Sequence, residues 1–155
     1  MIIINGDNMR FKYLFLGLML LIMVGSVAAA DDYESLGDYT FDIPDGFQVV
    51  DKNDEMVTMQ TDEDHSVIVY KLDSVSDLDT FMSLLETTGC EFGDEETFQS
   101  GSFDVTGYSF TYLDIHGNLY VCNDGGTPIL VADAIPSTED VSEDSPAMQV
   151  VNSLE

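Results

Sequence analysis

Thirty carboxylates stand against four basic side chains, a formal net charge of −26 over 155 residues, and this imbalance restricts the chain more than any other feature. Most of the acids have no cation in the chain to pair with, so they belong on solvated surface while apolar residues build the interior. Material for an interior is present: 45% of the residues are hydrophobic and 10% aromatic, more than an acidic disordered tail carries. At this length it fills a single core. The charge excludes nucleic acid and anionic membrane surfaces as partners, because like charges repel. It favours a protein partner with a cationic surface, since opposite fields speed encounter. Two cysteines and two histidines do not make a four-ligand structural zinc site of the usual kind.

Residues 1–30 carry a targeting pattern. Arg10 and Lys12 form a short basic segment, Tyr13 to Val27 follow without a charge, and Ala28, Ala29 and Ala30 close the run before Asp31 and Asp32. Basic, apolar and small-residue regions in that order make a secretory signal peptide, cut after Ala30. Met9 directly precedes the basic pair and is an alternative start. Tyr13 to Ala30, about 18 residues, is just long enough to remain as an uncleaved anchor; Ser26 and the alanines weaken its outer end and favour cleavage. No cysteine lies near the cut, so a lipid-modified N-terminus is excluded. Removal of residues 1–30 takes Asp7, Arg10 and Lys12 with it and leaves Lys52 and Lys71 as the basic residues. The exported part, residues 31–155, reads as one acidic domain that is secreted or held at the cell surface.

Within it, Asp31 to Gly37 is polar and expected to fray. Tyr39, Phe41 and Ile43 alternate with polar residues, and Pro44-Asp45-Gly46 makes a turn. Phe47 to Val50 and Met56 to Gln60 follow as strands, and Val67 to Leu72 is a strand with Ile68, Tyr70 and Leu72 on one face. Ser76 and Asp79 resemble a capping box opening a helix. Leu78, Phe81, Met82 and Leu85 give that helix a core-facing stripe, and Gly89 closes it. Val105 to Asp114, a turn at His116-Gly117-Asn118, Leu119 to Cys122, a turn at Asn123 to Gly126, and Ile129 to Ala134 form a meander. Links this short make the strands antiparallel. A polar loop from Pro136 to Asp144 leads to a last helix, with Pro146 in its first turn and Met148, Val151 and Leu154 on one face. The fold class is α+β, an antiparallel sheet with packed helices.

The segment Gly37-Asp38-Tyr39-Thr40-Phe41-Asp42-Ile43-Pro44-Asp45-Gly46-Phe47 resembles the opening of PsbP/Mog1-like domains, an aromatic strand running into a Pro-x-Gly-aromatic turn. The ending, from Ile129-Leu130-Val131-Ala132 to Met148-Gln149-Val150-Val151-Asn152-Ser153-Leu154, is similar to their last strand and C-terminal helix. The resemblance spans residues 36–155 and implies an α/β/α sandwich. Phe47 stands where tryptophan is common in that superfamily. The resemblance implies an assembly or binding factor and brings no shared catalytic residues.

Cys90 and Cys122, in an exported chain, suggest a disulfide, which would stabilise the fold by about 3–4 kcal/mol on the loop-entropy model; two separate buried thiols are the alternative. His65 and His116 read as exposed turn residues. No nucleophile elbow, phosphate-binding glycine loop or His-Glu-x-x-His helix is present. The acids invite calcium, which prefers carboxylate ligands. Asp51, Asn53 and Glu55 have the spacing that opens a calcium loop, but Met56 stands where the turn-making glycine belongs. Asp62 and Asp64 form a second loop, and the ends of the strand linking the two loops lie about 20 Å apart. Asp94-Glu95-Glu96 and the Glu139, Asp140, Glu143, Asp144 group are runs without ligand geometry. The expectation is a small exported, non-catalytic binding or assembly module that needs no cofactor. A calcium-dependent extracellular domain and an extracellular hydrolase with a carboxylate pair are the two other classes.

Overall fold

The computed structural model describes residues 32–61, 64–136 and 145–155; the targeting segment, Asp62 and the Glu139 to Asp144 acids lie outside these. Among the described residues, ten strands and two helices follow in chain order: β1 (Tyr33–Leu36), β2 (Tyr39–Asp42), β3 (Gln48–Lys52), β4 (Met56–Gln60), β5 (Ser66–Lys71), α1 (Asp77–Thr87), β6 (Glu91–Phe92), β7 (Glu96–Ser100), β8 (Phe103–Tyr112), β9 (Ile115–Asn123), β10 (Ile129–Pro136) and α2 (Pro146–Ser153). The main sheet runs β3-β4-β5-β10-β9-β8-β6, with β7 also paired to β8. Every pair in it is antiparallel.

Alternation along the strands sends side chains to two apolar layers. Ile68, Leu119, Val121, Leu130 and Ala132 meet Leu78, Phe81 and Leu85 of α1 on one face. Val57, Val69, Val105, Cys122 and Val131 meet Ala147, Val150 and Val151 of α2 on the other, together with Leu36 and Phe41 of the β1–β2 hairpin. The result is an α+β fold, an α/β/α sandwich around an antiparallel sheet. Both helices are amphipathic, and each covers one face with its apolar stripe.

Helix α1 opens without the expected capping box. Ser76 makes no side-chain cap bond; instead the Asp77 carboxylate accepts from the Ser74 N–H at 3.2 Å. Its end is as expected: Gly89 takes φ +98°, and the Gly89 and Cys90 N–H groups return to Glu86 and Leu85 carbonyls. That double bond pattern closes a helix where only glycine is unstrained.

Three sequence expectations are corrected. The stretch up to Gly37 does not fray, because Leu36 is buried under the sheet and β1 pairs with β2 from Tyr33↔Asp42 to Leu36↔Tyr39. The backbone of Thr40 also exchanges two hydrogen bonds with Glu155, at 3.0 and 2.9 Å, which ties the chain end to the hairpin. The β8–β9 turn is Leu113-Asp114, and His116-Gly117-Asn118 lies inside β9. Gly117 serves a close approach: a Cβ there would lie 2.0 Å from the Asp133 carbonyl oxygen. His116 is accordingly half-buried in a strand, with Nε2 shut off from solvent and from hydrogen-bond partners.

Asp133 is the central polar group of the fold. It is 1% exposed, in the middle of β10. Its Oδ1 accepts from the Asn118 N–H of β9 at 2.7 Å. Its Oδ2 accepts from the Ala147 N–H, in the first turn of α2, at 3.0 Å. The side chains of Ser145 and Asn118 also bond to it, and Ser145 caps α2 by accepting from the Met148 N–H at 3.2 Å. One carboxylate therefore joins two strands to a helix N-terminus, where the helix dipole favours an anion. Burial pushes its pKa above the ordinary aspartate value, against the pull of these donors.

Replacing this carboxylate has a measurable cost. Asp133→Ala strands two buried N–H groups and lowers stability by about 2–5 kcal/mol in urea unfolding. Asp133→Asn keeps one acceptor and costs less. A carboxyl whose pKa rises on folding gives most stability below its unfolded pKa of about 4 and loses it as pH rises through the folded value. The gap in urea midpoint between wild type and Asp133→Asn therefore narrows as pH rises above the unfolded value of about 4. At the β8–β9 turn, Leu113 holds φ +50° and is 79% exposed. Leu113→Gly relieves left-handed strain and raises stability by about 0.5–1 kcal/mol, read as a higher melting temperature.

Candidate functional site

The Pro44-Asp45-Gly46 turn and the last turn of α2 enclose a groove of about 430 Å³, lined by Asp42, Ile43, Pro44, Asp45, Gln149, Asn152 and Ser153. Local sequence explains its walls. Phe47 is buried and its N–H bonds to the Pro44 carbonyl at 3.0 Å, which sets the turn. Ser153 accepts from the Asp42 N–H at 2.9 Å and donates to the Val150 carbonyl at 3.0 Å, clamping β2 to the end of the helix. Ile43 is half-buried and Pro44 buried in this wall, while Asp42 and Asp45 are exposed. The last turn of α2 holds no basic residue; its Val150 and Val151 carbonyls accept from the Ser153 and Ser100 hydroxyls instead.

Few cations are available to the rest of the surface. Lys52 forms an ion pair with Glu34 across β1 and β3. Burial alone would raise the Glu34 pKa, but Lys52 and the Ser35 N–H hold it below the usual carboxylate range. Lys71 of β5 lies against Gly37, its Nζ 3.4 Å from where a Cβ would stand. Both lysines thus sit beside the β1–β2 hairpin. Elsewhere acids bond to tyrosines. Tyr108 donates to Glu95; that bond, with burial, pushes its pKa up to about 12. Tyr39 donates to Asp124 at 3.0 Å, and burial together with Asp124 raises its pKa too.

The candidate calcium residues fall on β3 and on the hairpin loop that follows it. Asp51 lies in β3 opposite Thr58. Asn53 accepts from the Glu55 N–H at 2.8 Å, and its own N–H bonds to the Met56 carbonyl at 2.9 Å. The segment is a hairpin loop whose asparagine oxygen is already engaged. Among the described residues, no three histidine, cysteine, aspartate or glutamate side chains gather as a metal group. Asp133 belongs to no sequence motif; its one signal is an acid inside the apolar run Ile129-Leu130-Val131-Ala132-Asp133-Ala134-Ile135. Its oxygens are spent on backbone donors, so its role is structural.

The expected disulfide is also corrected. Cys90 and Cys122 are free, buried thiols, Cys90 packed in the α1 layer and Cys122 in the α2 layer. The sheet stands between them, and no χ rotation brings the sulfurs together. Burial pushes the Cys90 thiol up to about 11, with help from Glu86 and Glu91. Burial alone takes Cys122 to about 12, so neither is a ready nucleophile. Denatured, unreduced protein titrates with two thiols; a count of zero would contradict this placement.

No model of a known protein family matches the sequence, and no curated relative matches it. Among solved structures, the chain is similar to the solution structure of cyanobacterial PsbP (CyanoP) from Synechocystis sp. PCC 6803. The identity is 18% and the TM-score 0.58, over 86% of this chain and 96% of that one. A Bacteroides thetaiotaomicron protein is similar at 11% identity and a TM-score of 0.45, over 82% of this chain and 48% of that one. The first of these likenesses is one of fold: the chain has the PsbP-like α/β/α sandwich that its opening and closing segments resemble.

Proposed function

We propose that this protein is an exported, non-catalytic binding module that docks on a cationic surface of a protein partner. One observation carries the reading: in residues 31–155 only Lys52 and Lys71 oppose a large excess of acid, and both lie beside the β1–β2 hairpin. The remaining surface is left free to attract positive charge over distances up to about a Debye length, ~8–10 Å at ordinary salt. Such a field speeds encounter with cationic proteins and rejects anionic ones. The basic, apolar and small-residue order of residues 10–30 supports export. No helix among the described residues is long and apolar enough to cross a membrane. The perturbed groups also favour binding over catalysis, because Asp133 holds backbone, and Tyr108 and Tyr39 hold surface acids.

The test is photo-crosslinking on the producing cell from a reactive group placed at Asp94, followed by kinetics with the purified captured protein. The expected result is one main partner whose association rate falls at least about tenfold between 20 mM and 500 mM salt, with dissociation changing less. An association rate indifferent to salt, or a partner with an acidic contact surface, would overturn the reading.

A further inference from the structure

We infer that Leu113, at the tip of the β8–β9 hairpin, seats in an apolar socket on the partner's cationic surface; this rests on the cationic-partner reading above. Two independent observations meet at this residue. Leu113 is 79% exposed, more than Tyr33 or Val75, the other exposed large apolar side chains among the described residues. It also holds φ +50°, in the left-handed region, which Asp64 alone shares among the described residues other than glycine. Leu113-Asp114 is the two-residue link of the hairpin, closed by the Tyr112↔Ile115 pair. Such turns select glycine, asparagine or aspartate at positive φ. A leucine this exposed gains too little from burial to offset its strain within the fold. Its gain lies in a contact outside the chain.

The base of the knob is fixed. Tyr112 and Ile115 are partly buried and pack against the α1 layer, and the turn caps the long β8–β9 ladder. A tip held this way costs little further ordering when it docks. Its surroundings choose the partner's charge. Asp114 shares the turn and is exposed, and Glu91, also exposed, pairs with Thr111 next to it. Both lysines are remote. Lys71 pairs with Ile129 at one end of β10, while Ile115 pairs with Pro136 at the other, about 24 Å along the strand. Lys52 lies on β3, the outermost strand beyond β4, β5 and β10 as counted from β9. At these distances salt screens the lysines, so the apolar knob stands in a negative collar. An apolar socket with a basic rim matches both parts. A second copy of this chain brings the same acids and is repelled.

The experiment places a photo-reactive leucine analogue at position 113 of the full chain on the producing cell, in parallel with the reactive group at Asp94. The protein captured through Asp94 is purified, and its binding kinetics are measured with Leu113→Gly, Leu113→Met and Val75→Ala. Position 113 is expected to capture the same protein as position 94. Leu113→Gly melts at a higher temperature than wild type, yet dissociates about tenfold faster or more while association keeps its salt dependence. Leu113→Met keeps an apolar knob and holds dissociation within about threefold. Val75→Ala, at an exposed apolar position before α1, holds it within about twofold. Unchanged dissociation of Leu113→Gly, or capture from position 94 without capture from 113, overturns the knob and leaves the cationic-partner reading in place. Loss of thermal stability in Leu113→Gly also overturns it, since leucine then serves the fold. Flotation with phosphatidylcholine vesicles tests a lipid contact: wild type that floats where Leu113→Gly does not overturns the protein socket. If neither position captures a protein, the wider reading falls and the socket with it.

Discussion

The carboxylate of Asp133 couples the three parts of this fold that have least reason to stay together. Strand β10 is the sheet's central member, β9 is its neighbour, and α2 arrives from a polar loop. Each would leave polar backbone groups without partners where they meet. Asp133 accepts from Asn118 of β9 and Ala147 of α2, and the missing side chain of Gly117 lets β9 approach closely enough. A buried carboxylate costs much in desolvation and stays only when its oxygens are used. Here the donors are backbone N–H groups and the end of a helix, so the position of α2 is set by charge and geometry as well as by its apolar stripe.

An extreme charge excess is compatible with a compact body because the sheet separates it from two dry layers. Strand alternation puts valines and leucines on both faces, and a helix covers each. Asp133 apart, the acids among the described residues fall on helix outsides, loops and the ends of strands. Carboxylates that come near apolar ground take local donors, such as Tyr108 for Glu95 and Tyr39 for Asp124. Salt in the medium screens what these contacts do not.

Periodicity makes much of this legible in the sequence. The stripe of Leu78, Phe81 and Leu85, the alternation of Ile68, Tyr70 and Leu72, and the glycine stop at Gly89 are local patterns with one physical reading each. Pro146 likewise marks the first turn of α2. Sequence misleads where a residue type serves two purposes. Gly117 next to Asn118 has the composition of a turn, but its value is the room it leaves for Asp133 on the neighbouring strand, beyond the reach of any local pattern. The real turn uses Leu113, which no turn preference selects. Strands β6 and β7 are hidden because Glu91, Glu96 and Gln99 look like solvated loop; pairing with β8 makes them strand. Two cysteines behind a targeting pattern suggest a bond, and the sheet between their two layers forbids it. The groove joins β2 and its turn to the far end of the chain, so its carboxylates are visible in sequence and their shared concavity is not.

The scarcity of lysine has a consequence for how such a protein meets proteases. A protease that cuts after lysine or arginine finds two such bonds in residues 31–155, following Lys52 and Lys71. Both lie at the ends of paired strands, β3 and β5, within a continuous sheet. Cleavage needs an extended, unpaired stretch of chain, so these bonds become substrates only when the edge of the sheet or its neighbour opens. The composition that gives the surface its attraction for cations also strips it of the handles that the commonest class of digestive enzyme requires.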